Sequence, residues 1–277
     1  NHASRILIPA LKKTKGNLHT LYSSWGISGF HHGVKAGFQY TSTDIDEIWS
    51  SKEIDTVVVA TRHDNHAELV VKALDNGKNI FVEKPLALTL GQLKNIDDAV
   101  QKYKEDKGAD PILMVGFNRR FSPHVIKMRS LLQQKKEPKS IIMTVNAGFL
   151  PKEHWLNNPE IGGGRIIGEG CHFIDLMMSL IGKPIIAHQS VAIGSNLYSK
   201  NQNDNVAINL SFEDGSIGTI HYLSNGGASF PKERIEVFCG GSVLQIKNYI
   251  TLKGYNWKGF NKLRSFKQDK GQAACAK

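Results

Sequence analysis

The sequence predicts an α/β domain with a doubly wound parallel sheet, followed by an α+β domain with a large open antiparallel sheet. Up to about residue 120, strand-like apolar runs alternate with amphipathic stretches, which is the pattern of βαβ units. Beyond that point strand-like runs follow one another across short turns, which is typical of antiparallel sheets. The 277 residues suffice for two domains, which we expect at residues 1–120 and 121–277.

The first half is predicted to alternate between helix and strand. Gly37 is expected to end one helix, Asp44 to cap another, and Thr89 with Gln92 to form a capping box at the start of a third. The predicted helices are residues 4–13, 28–37, 44–50, 65–76 and 89–103, and the predicted strands are residues 17–23, 38–42, 55–60, 79–83 and 111–117.

The second half begins with a helical stretch that follows Ser122-Pro123 and runs to Gln134. A second helix is predicted at residues 172–180, with Gly182 ending it. Polar and apolar residues alternate clearly at 206–210, so one face of the sheet should be buried. The predicted strands are residues 140–149, 185–195, 206–212, 216–224, 234–238, 243–246 and 249–254.

Composition and charge narrow the class of protein. Hydrophobic residues make up 40% and charged residues 22% of the chain, which is ordinary for a soluble globular protein. The net charge of +10 favours an anionic small molecule over nucleic acid, because the lysine runs lack interleaved aromatic residues. Three widely spaced cysteines predict no disulfide framework, which fits a reducing compartment, and we therefore expect a cytoplasmic protein. We also expect no metal and no membrane partner.

A strand–helix–strand pattern ends in Glu83-Lys84-Pro85, and this stretch carries the first functional prediction. Ligands of parallel α/β sheets bind at the carboxyl ends of the strands, where these three residues should lie. Pro85 restricts the backbone of Lys84, and partial desolvation there would lower the pKa of the lysine towards use as an acid or base. The alternative is a surface Glu–Lys pair before a turn proline.

Three ordered motifs carry a resemblance to a known family. The motifs are Glu83-Lys84-Pro85, the segment at residues 59–66 and the glycine-rich segment at residues 162–175. Together with the domain pattern they resemble the glucose–fructose oxidoreductase / inositol dehydrogenase (Gfo/Idh/MocA) family, whose members join a Rossmann domain to an open antiparallel sheet. The stretch from Ile166 to Asp175 is most similar to a subgroup that is often fused to an alcohol-dehydrogenase-like domain and associated with surface-polysaccharide genes.

The resemblance implies a nicotinamide cofactor, NAD or NADP. Its phosphates would sit on a glycine-rich turn at the start of the first helix, where Ala3 stands in place of the third glycine. Because the first strand and two glycines of that fingerprint are not in the sequence, we expect the first domain to be truncated, and we expect the same of the second domain because a helix would be expected to continue at residues 271–277. Ser23 and Ser24 follow the second strand, where an acid commonly selects NAD, so the choice between NAD and NADP stays open; the two serines are alternatively a simple loop.

The family also implies cofactor contacts from the turns that follow the strands. Thr61 would offer a hydroxyl, Arg62 a cation to phosphate or substrate, and Glu83 a bond on the nicotinamide side. Asn118 opens onto the same crevice. The remaining cofactor candidates are His66, for which local packing or capping is the alternative, and Lys84 itself.

Two residues are candidates for acid–base catalysis, Lys84 and His172. Asp175 lies three residues beyond His172 on the same predicted helix face and could orient it or bond a substrate hydroxyl. Many relatives have an aspartate where this chain has Gly168, so the family's Lys–Asp–His arrangement is incomplete here. A satisfied packing histidine is the alternative for His172.

The predicted function is hydride transfer between nicotinamide and a hydroxyl or keto carbon of a sugar or sugar derivative, nucleotide-linked sugars included. Lys84, Arg119, Trp155, His172 and Asp175 are the candidate substrate residues. The alternative is a non-catalytic dinucleotide-binding module of a larger polypeptide. Relatives also imply a homodimer or tetramer formed through the antiparallel sheet.

Overall fold

A computed structural model of the chain describes residues 3–193 and 204–277 and divides them into two compact units. Unit 1 comprises residues up to Gly116 together with Gln272–Lys277, and unit 2 comprises Phe117–Gly271. The division therefore falls a few residues before the predicted one. The last six residues join unit 1 because the short helix they contain packs on the first helical segment of the chain.

Unit 1 is built from short parallel strands and the helices that connect them. A π-helical turn at Ala3–Leu7 leads into the first helix, which Pro9 enters near its start. The helices are α1 Ile8–Leu11, α2 Gly26–Ala36, α3 Asp46–Ser50, α4 His66–Asp75, α5 Leu90–Lys107 and, from the end of the chain, α8 Gln272–Cys275; the strands are β1 Thr20–Tyr22, β2 Tyr40–Ser42, β3 Thr56–Val59, β4 Asn79–Val82 and β5 Leu113–Val115.

All strand pairs described in unit 1 are parallel, as the βαβ alternation predicts. They form two hydrogen-bonded sheets, β1–β2 and β3–β4–β5, where the sequence led us to expect one. The core of the second sheet packs α4 and α5 on β4, with Val70, Ile80 and Val82 almost fully buried. Burying a side chain of this size contributes about 1.5–3 kcal/mol, so this packing fixes the ends of β3 and β4.

Unit 2 consists of a large sheet with two helices on one face. Its helices are α6 Pro123–Leu132 and α7 Cys171–Ile181, and its strands are β6 Ser140–Asn146, β7 Ile185–Ala192, β8 Val206–Phe212, β9 Ile217–Leu223, β10 Glu233–Cys239, β11 Ser242–Lys247, β12 Thr251–Tyr255 and β13 Lys262–Arg264. The predicted continuation of β7 to Ser195 lies outside the described residues.

The eight strands follow the order β13–β12–β11–β10–β6–β9–β8–β7. Seven strand pairs fit this order, and all are antiparallel except β6–β9, so the predicted antiparallel sheet contains one parallel pair. The reason is the connection between the two strands. The chain passes from β6 through α7, β7 and β8 before it forms β9, and β9 then runs in the same direction as β6. Alternate residues of β8 are buried, as predicted.

Candidate functional site

Two turns of unit 1 hold the polar residues that the sequence analysis singled out. β3 and β4 pair in parallel with Val59 opposite Val82, so the residues that follow them leave the sheet at the same edge. Thr61 and Arg62 follow β3 and are exposed, whereas Glu83 and Lys84 follow β4 and are half-buried. The structure thus brings the four predicted cofactor residues to the carboxyl ends of adjacent strands, where ligands of such sheets bind.

A buried histidine joins these two turns. His66 is fully buried, with its Nδ1 2.7 Å from the carbonyl oxygen of Pro85 and its Nε2 3.3 Å from that of Thr61. Burial lowers the pKa of His66, although the two carbonyls oppose the shift. A neutral imidazole donates from one nitrogen only, and the shorter distance favours Nδ1–H donating to Pro85. Because both ring nitrogens face backbone carbonyls, His66 supports the turns, which corresponds to the packing alternative.

Two further features shape the Lys84 turn. The peptide bond between Lys84 and Pro85 is cis. A Cβ built on Gly116, just beyond β5, would lie 3.1 Å from Oε2 of Glu83, so the carboxylate rests against bare backbone there. A side chain at this glycine would require the carboxylate to shift by a few tenths of an ångström.

The serines predicted near the ribose follow β1. The hydroxyl of Ser23 accepts a hydrogen bond from the backbone N–H of Trp25 at 3.2 Å, and this turn leads into α2. Ser24 is exposed. Ala3 begins the π-helical turn of unit 1, and the two residues before it lie outside the described part of the chain.

The second group of candidates lies in unit 2, on α7 and on the 3-10 turn Asn118–Phe121. His172 is 7% exposed, and its ring meets the ring of Phe117 edge-on with centroids 6.1 Å apart. Asp175 is 8% exposed and accepts hydrogen bonds from Nε and Nη2 of Arg120. Burial raises the pKa of the Asp175 carboxyl, and Arg120 opposes that rise. Asp175 is therefore engaged with an arginine that the sequence analysis did not select.

The predicted neighbours of the crevice make contacts within unit 2. The Asn118 amide donates to the carbonyl oxygen of Lys270 at 2.7 Å. The Arg119 guanidinium forms two hydrogen bonds with the Glu233 carboxylate, both 2.9 Å long. Trp155 is half-buried at the start of a 3-10 turn, with its ring centroid 5.8 Å from that of His154. Arg119, which was predicted to contact the substrate, thus binds a carboxylate of the protein itself.

Glu169 follows Gly168 and lies in a π-helical turn at Ile166–Gly170 that runs directly into α7. Its carboxylate accepts hydrogen bonds from the Tyr222 hydroxyl and from Arg165. Burial raises its pKa, but these two partners outweigh burial and lower the pKa of Glu169. Glu169 is thus an ionised partner inside unit 2.

Sequence reasoning missed Arg120, Glu233 and Lys270. The tandem of arginines directly after a predicted strand was a signal for Arg120. No local signal pointed to Glu233, because it lies 114 residues from the arginine that it binds. Such pairs depend on the strand order of the sheet.

A parallel α/β unit with polar turns after its strands, together with a unit that packs two helices on a large mixed sheet, defines a class of dinucleotide-binding oxidoreductases. Two family models match the chain: "Oxidoreductase family, NAD-binding Rossmann fold" over residues 18–106, and "GFO/IDH/MocA C-terminal domain" over residues 125–242. Together they cover about three quarters of the sequence. The chain belongs to the Gfo/Idh/MocA family of oxidoreductases.

Individual relatives agree with this assignment. Myo-inositol 2-dehydrogenase of Thermotoga maritima is 27% identical over 74% of this chain and 60% of that protein. Inositol 2-dehydrogenase of Rhizobium meliloti is 30% identical over 70% of this chain and 57% of that protein. The chain spans about six tenths of the length of the curated relatives that it matches.

Solved structures show the same fold. Levoglucosan dehydrogenase in complex with NADH and levoglucosan has a TM-score of 0.79 at 18% identity, over 94% of this chain and 78% of that one. An oxidoreductase domain protein from Kribbella flavida has a TM-score of 0.79 at 20% identity, over 97% of this chain and 79% of that one.

Across the described ranges, no helix is both long enough and apolar enough to cross a membrane.

Proposed function

We propose that this protein is an NAD(P)-dependent dehydrogenase or reductase that acts on a hydroxyl or keto carbon of a sugar, a cyclic polyol or a related derivative. The observation that carries the proposal is the pair of turns after β3 and β4. They present Thr61, Arg62, Glu83 and Lys84 at one edge of a parallel sheet, which is where the family's cofactor would bind. Membership of the family supports nicotinamide as the redox group.

The residues described above fit such a group. Thr61, Arg62, Glu83 and Lys84 would hold its nicotinamide and phosphate parts, with Ala3, Ser24 and Asn118 as further candidates. When bound, the group supplies the acceptor or donor for hydride. The choice between NAD and NADP is left open by Ser23 and Ser24, which neither grip a ribose diol as a carboxylate does nor repel a 2′-phosphate.

The protein's own chemical task is proton transfer. A carbinol that loses hydride must also lose its hydroxyl proton, and positioned acid–base help contributes about 10²–10⁴ in rate. Lys84 and His172 are the proposed acid–base groups, and a protonated lysine can serve as the acid in the reductive direction. Trp155 is proposed to contact the sugar, and Asp175 is proposed to accept a hydrogen bond from a sugar hydroxyl, since a carboxylate has lone pairs beyond those that Arg120 uses.

The relatives support the proposed substrate class. Those named above include inositol dehydrogenases, and a 24% identical relative from Ensifer adhaerens is a 1,5-anhydro-D-fructose reductase. Cyclic polyhydroxylated substrates are common to these names, so sugars and cyclic polyols are the first compounds to test. Nucleotide-linked sugars, a role with surface polysaccharide and fusion to an alcohol-dehydrogenase-like domain are finer proposals that rest on the motif at residues 166–175.

Assembly is a further part of the proposal. The outer face of the large sheet carries exposed apolar side chains, among them Ile142, Ile217, Phe238 and Tyr255. These support a homodimer or tetramer formed through that face, which light scattering can test.

A second candidate function is a non-catalytic dinucleotide-binding module. The specific feature that favours it is Gly168, which leaves the family's carboxylate position without a side chain. Retention of Lys84 and His172 favours the enzyme.

The test is a titration of NADH and NADPH, read by nicotinamide fluorescence, followed by turnover on a panel of sugars and cyclic polyols. It uses the 277-residue chain and any longer product of the same gene. Lys84→Met should abolish turnover, whereas the matched change Lys94→Met on the exposed side of α5 should leave it unchanged. Binding without turnover would support the module, and absence of binding by every form would overturn the oxidoreductase assignment.

A further inference from the structure

Three side chains contact the helix that carries His172. They are Phe117, which precedes the 3-10 turn, and Arg119 and Arg120, which lie within it. Phe117 meets the His172 ring, as described above. The Cζ atom of Arg119 lies 4.8 Å from the centre of the Phe173 ring, and Arg120 binds Asp175. All these residues belong to unit 2. The start of α7 is therefore fixed by one short segment of chain that contacts His172 and two residues that follow it, Phe173 and Asp175.

Arg119 is itself fixed from behind. Its Nε and Nη2 atoms form a two-pronged fork of hydrogen bonds to Glu233, whose side chain is 1% exposed. Nζ of Lys270 lies 2.6 Å from Oε1 of the same carboxylate. Burial pushes the pKa of Glu233 upward, but the charges and hydrogen bonds of Arg119 and Lys270 outweigh it and lower the pKa to about 2. The carboxylate is therefore ionised at neutral pH and holds the guanidinium in one orientation.

The geometry leaves Arg119 poorly placed to contact a ligand. Its side chain is 11% exposed, the two nitrogens of its fork are engaged, and the ring of Phe173 lies against the guanidinium. The guanidinium of Arg119 is planar: its edge donates hydrogen bonds to Glu233, and its face lies against the Phe173 ring. Because the group is rigid, fixing its edge on Glu233 also fixes the position of its face.

We propose that Arg119 is a positioning residue: held by Glu233 and Lys270, it fixes the 3-10 turn Asn118–Phe121 against α7 and thereby sets the place of the His172 imidazole. The proposal rests on the proposed function for its catalytic consequence. It replaces the expectation that Arg119 binds substrate directly.

The kinetic test uses an active form of the protein and compares kcat with KM. Arg119→Lys keeps the charge but loses the fork and the planar face, so kcat should fall by roughly 10- to 100-fold with KM for the sugar unchanged, because a misplaced catalytic group costs turnover rather than binding. Glu233→Gln should give the same pattern. Arg129→Lys is the control, since Arg129 reaches α7 through one 3.4 Å hydrogen bond to Ser179.

The two roles of Arg119 give different results. If Arg119 contacts the substrate, Arg119→Lys raises KM while Glu233→Gln leaves KM unchanged, and the proposal is overturned. An unchanged kcat in both variants would also overturn it. Should either variant fail to fold, Lys270→Gln keeps the fork and removes only its support, and kcat should then fall by about two- to fivefold.

A second measurement does not depend on turnover. Backbone amides of residues 171–176 should exchange with deuterium at least about tenfold faster in Arg119→Lys and Glu233→Gln than in the unchanged chain, while Arg129→Lys has no effect. Faster exchange in a protein without turnover would mean that the proposed function fails while the positioning of α7 holds. Unchanged exchange would refute the positioning itself.

Discussion

Asp175 lies three residues beyond His172 on the same helix, and its carboxylate accepts hydrogen bonds from two nitrogens of the Arg120 guanidinium. The pair joins α7 to the 3-10 turn that follows β5. Asp175 is buried whereas the Arg120 side chain is 38% exposed, so the guanidinium keeps part of its hydration. The carboxylate is the more sensitive partner, because burial removes its hydration and the arginine offsets only part of that cost.

Replacing this carboxylate tests the value of the pair. Asp175→Asn should lower the free energy of unfolding by about 1–2 kcal/mol, since a charged bidentate contact becomes a neutral one. Glu236→Gln is the matched control: it also faces an arginine whose side chain is 38% exposed, through one nitrogen at 2.7 Å. Urea unfolding should show the control losing less than about 0.5 kcal/mol. Equal losses would mean that the second hydrogen bond adds nothing.

The glycine segment before α7 contains one position where backbone meets backbone. A Cβ on Gly162 would lie 2.4 Å from both the Cα and the carbonyl oxygen of Leu156. Gly162→Ala should therefore destabilise unit 2 by about 1–3 kcal/mol. At Gly170 the nearest atom would be 3.5 Å away on Ile166, so Gly170→Ala should be tolerated. Thermal unfolding of the two variants measures the difference, and similar melting temperatures would contradict the expected clash.

The start of α5 is held by a capping box. The hydroxyl of Thr89 accepts from the Gln92 backbone N–H at 3.1 Å, and the Gln92 side chain accepts from the Thr89 backbone N–H. Thr89→Ala should cost about 1 kcal/mol in urea unfolding. Gln101→Ala, at an exposed position within the same helix, should leave stability unchanged or slightly higher, because alanine has the better helix propensity. A loss of similar size at Gln101 would show that the cap is not the cause.

Buried histidine makes unit 1 sensitive to acid. Because burial lowers the pKa of His66 in the folded state, the unfolded state binds more protons, and stability falls as pH drops below about 6.5. The slope contributed by one such group reaches at most about 1.4 kcal/mol per pH unit. Denaturant unfolding between pH 7.5 and 5.5 should show a shallower slope for His66→Asn and an unchanged slope for His32→Asn, whose ring is exposed. If both variants keep the original slope, another group is responsible.

Local signals predicted the local features of this fold. The cap of α5 at Thr89 and the ends of two helices at Gly37 and Gly182, with φ of 80° and 74°, were predicted from residue types whose backbone or hydrogen-bonding preferences act within a few positions. The turns at Thr61 and Lys84 were likewise placed by following each strand to its end. These features depend on sequence neighbours alone.

Features that depend on distant partners were not predicted. Alternation within β6 and β9 shows which face is buried but says nothing about the direction of pairing, so their parallel arrangement was missed. The Arg119–Glu233 fork needs the turn after β5 and the start of β10 to meet, and nothing near either residue signals it. The three-residue strand β13 was too short to give a pattern.

The central place of β6 has a consequence for synthesis of the chain. Both of its neighbours, β9 and β10, come later in the sequence, and β10 is complete only at Cys239, roughly 90 residues after β6 ends. At ribosomal rates of about 5–20 residues per second, β6 waits roughly 5–20 s for its second neighbour. Both of its edges are open to strands of other nascent chains until β9 is complete at Leu223, and one edge stays open until β10 follows. We therefore expect unit 2 to be the part of the protein that depends on chaperones when it is made quickly and in quantity.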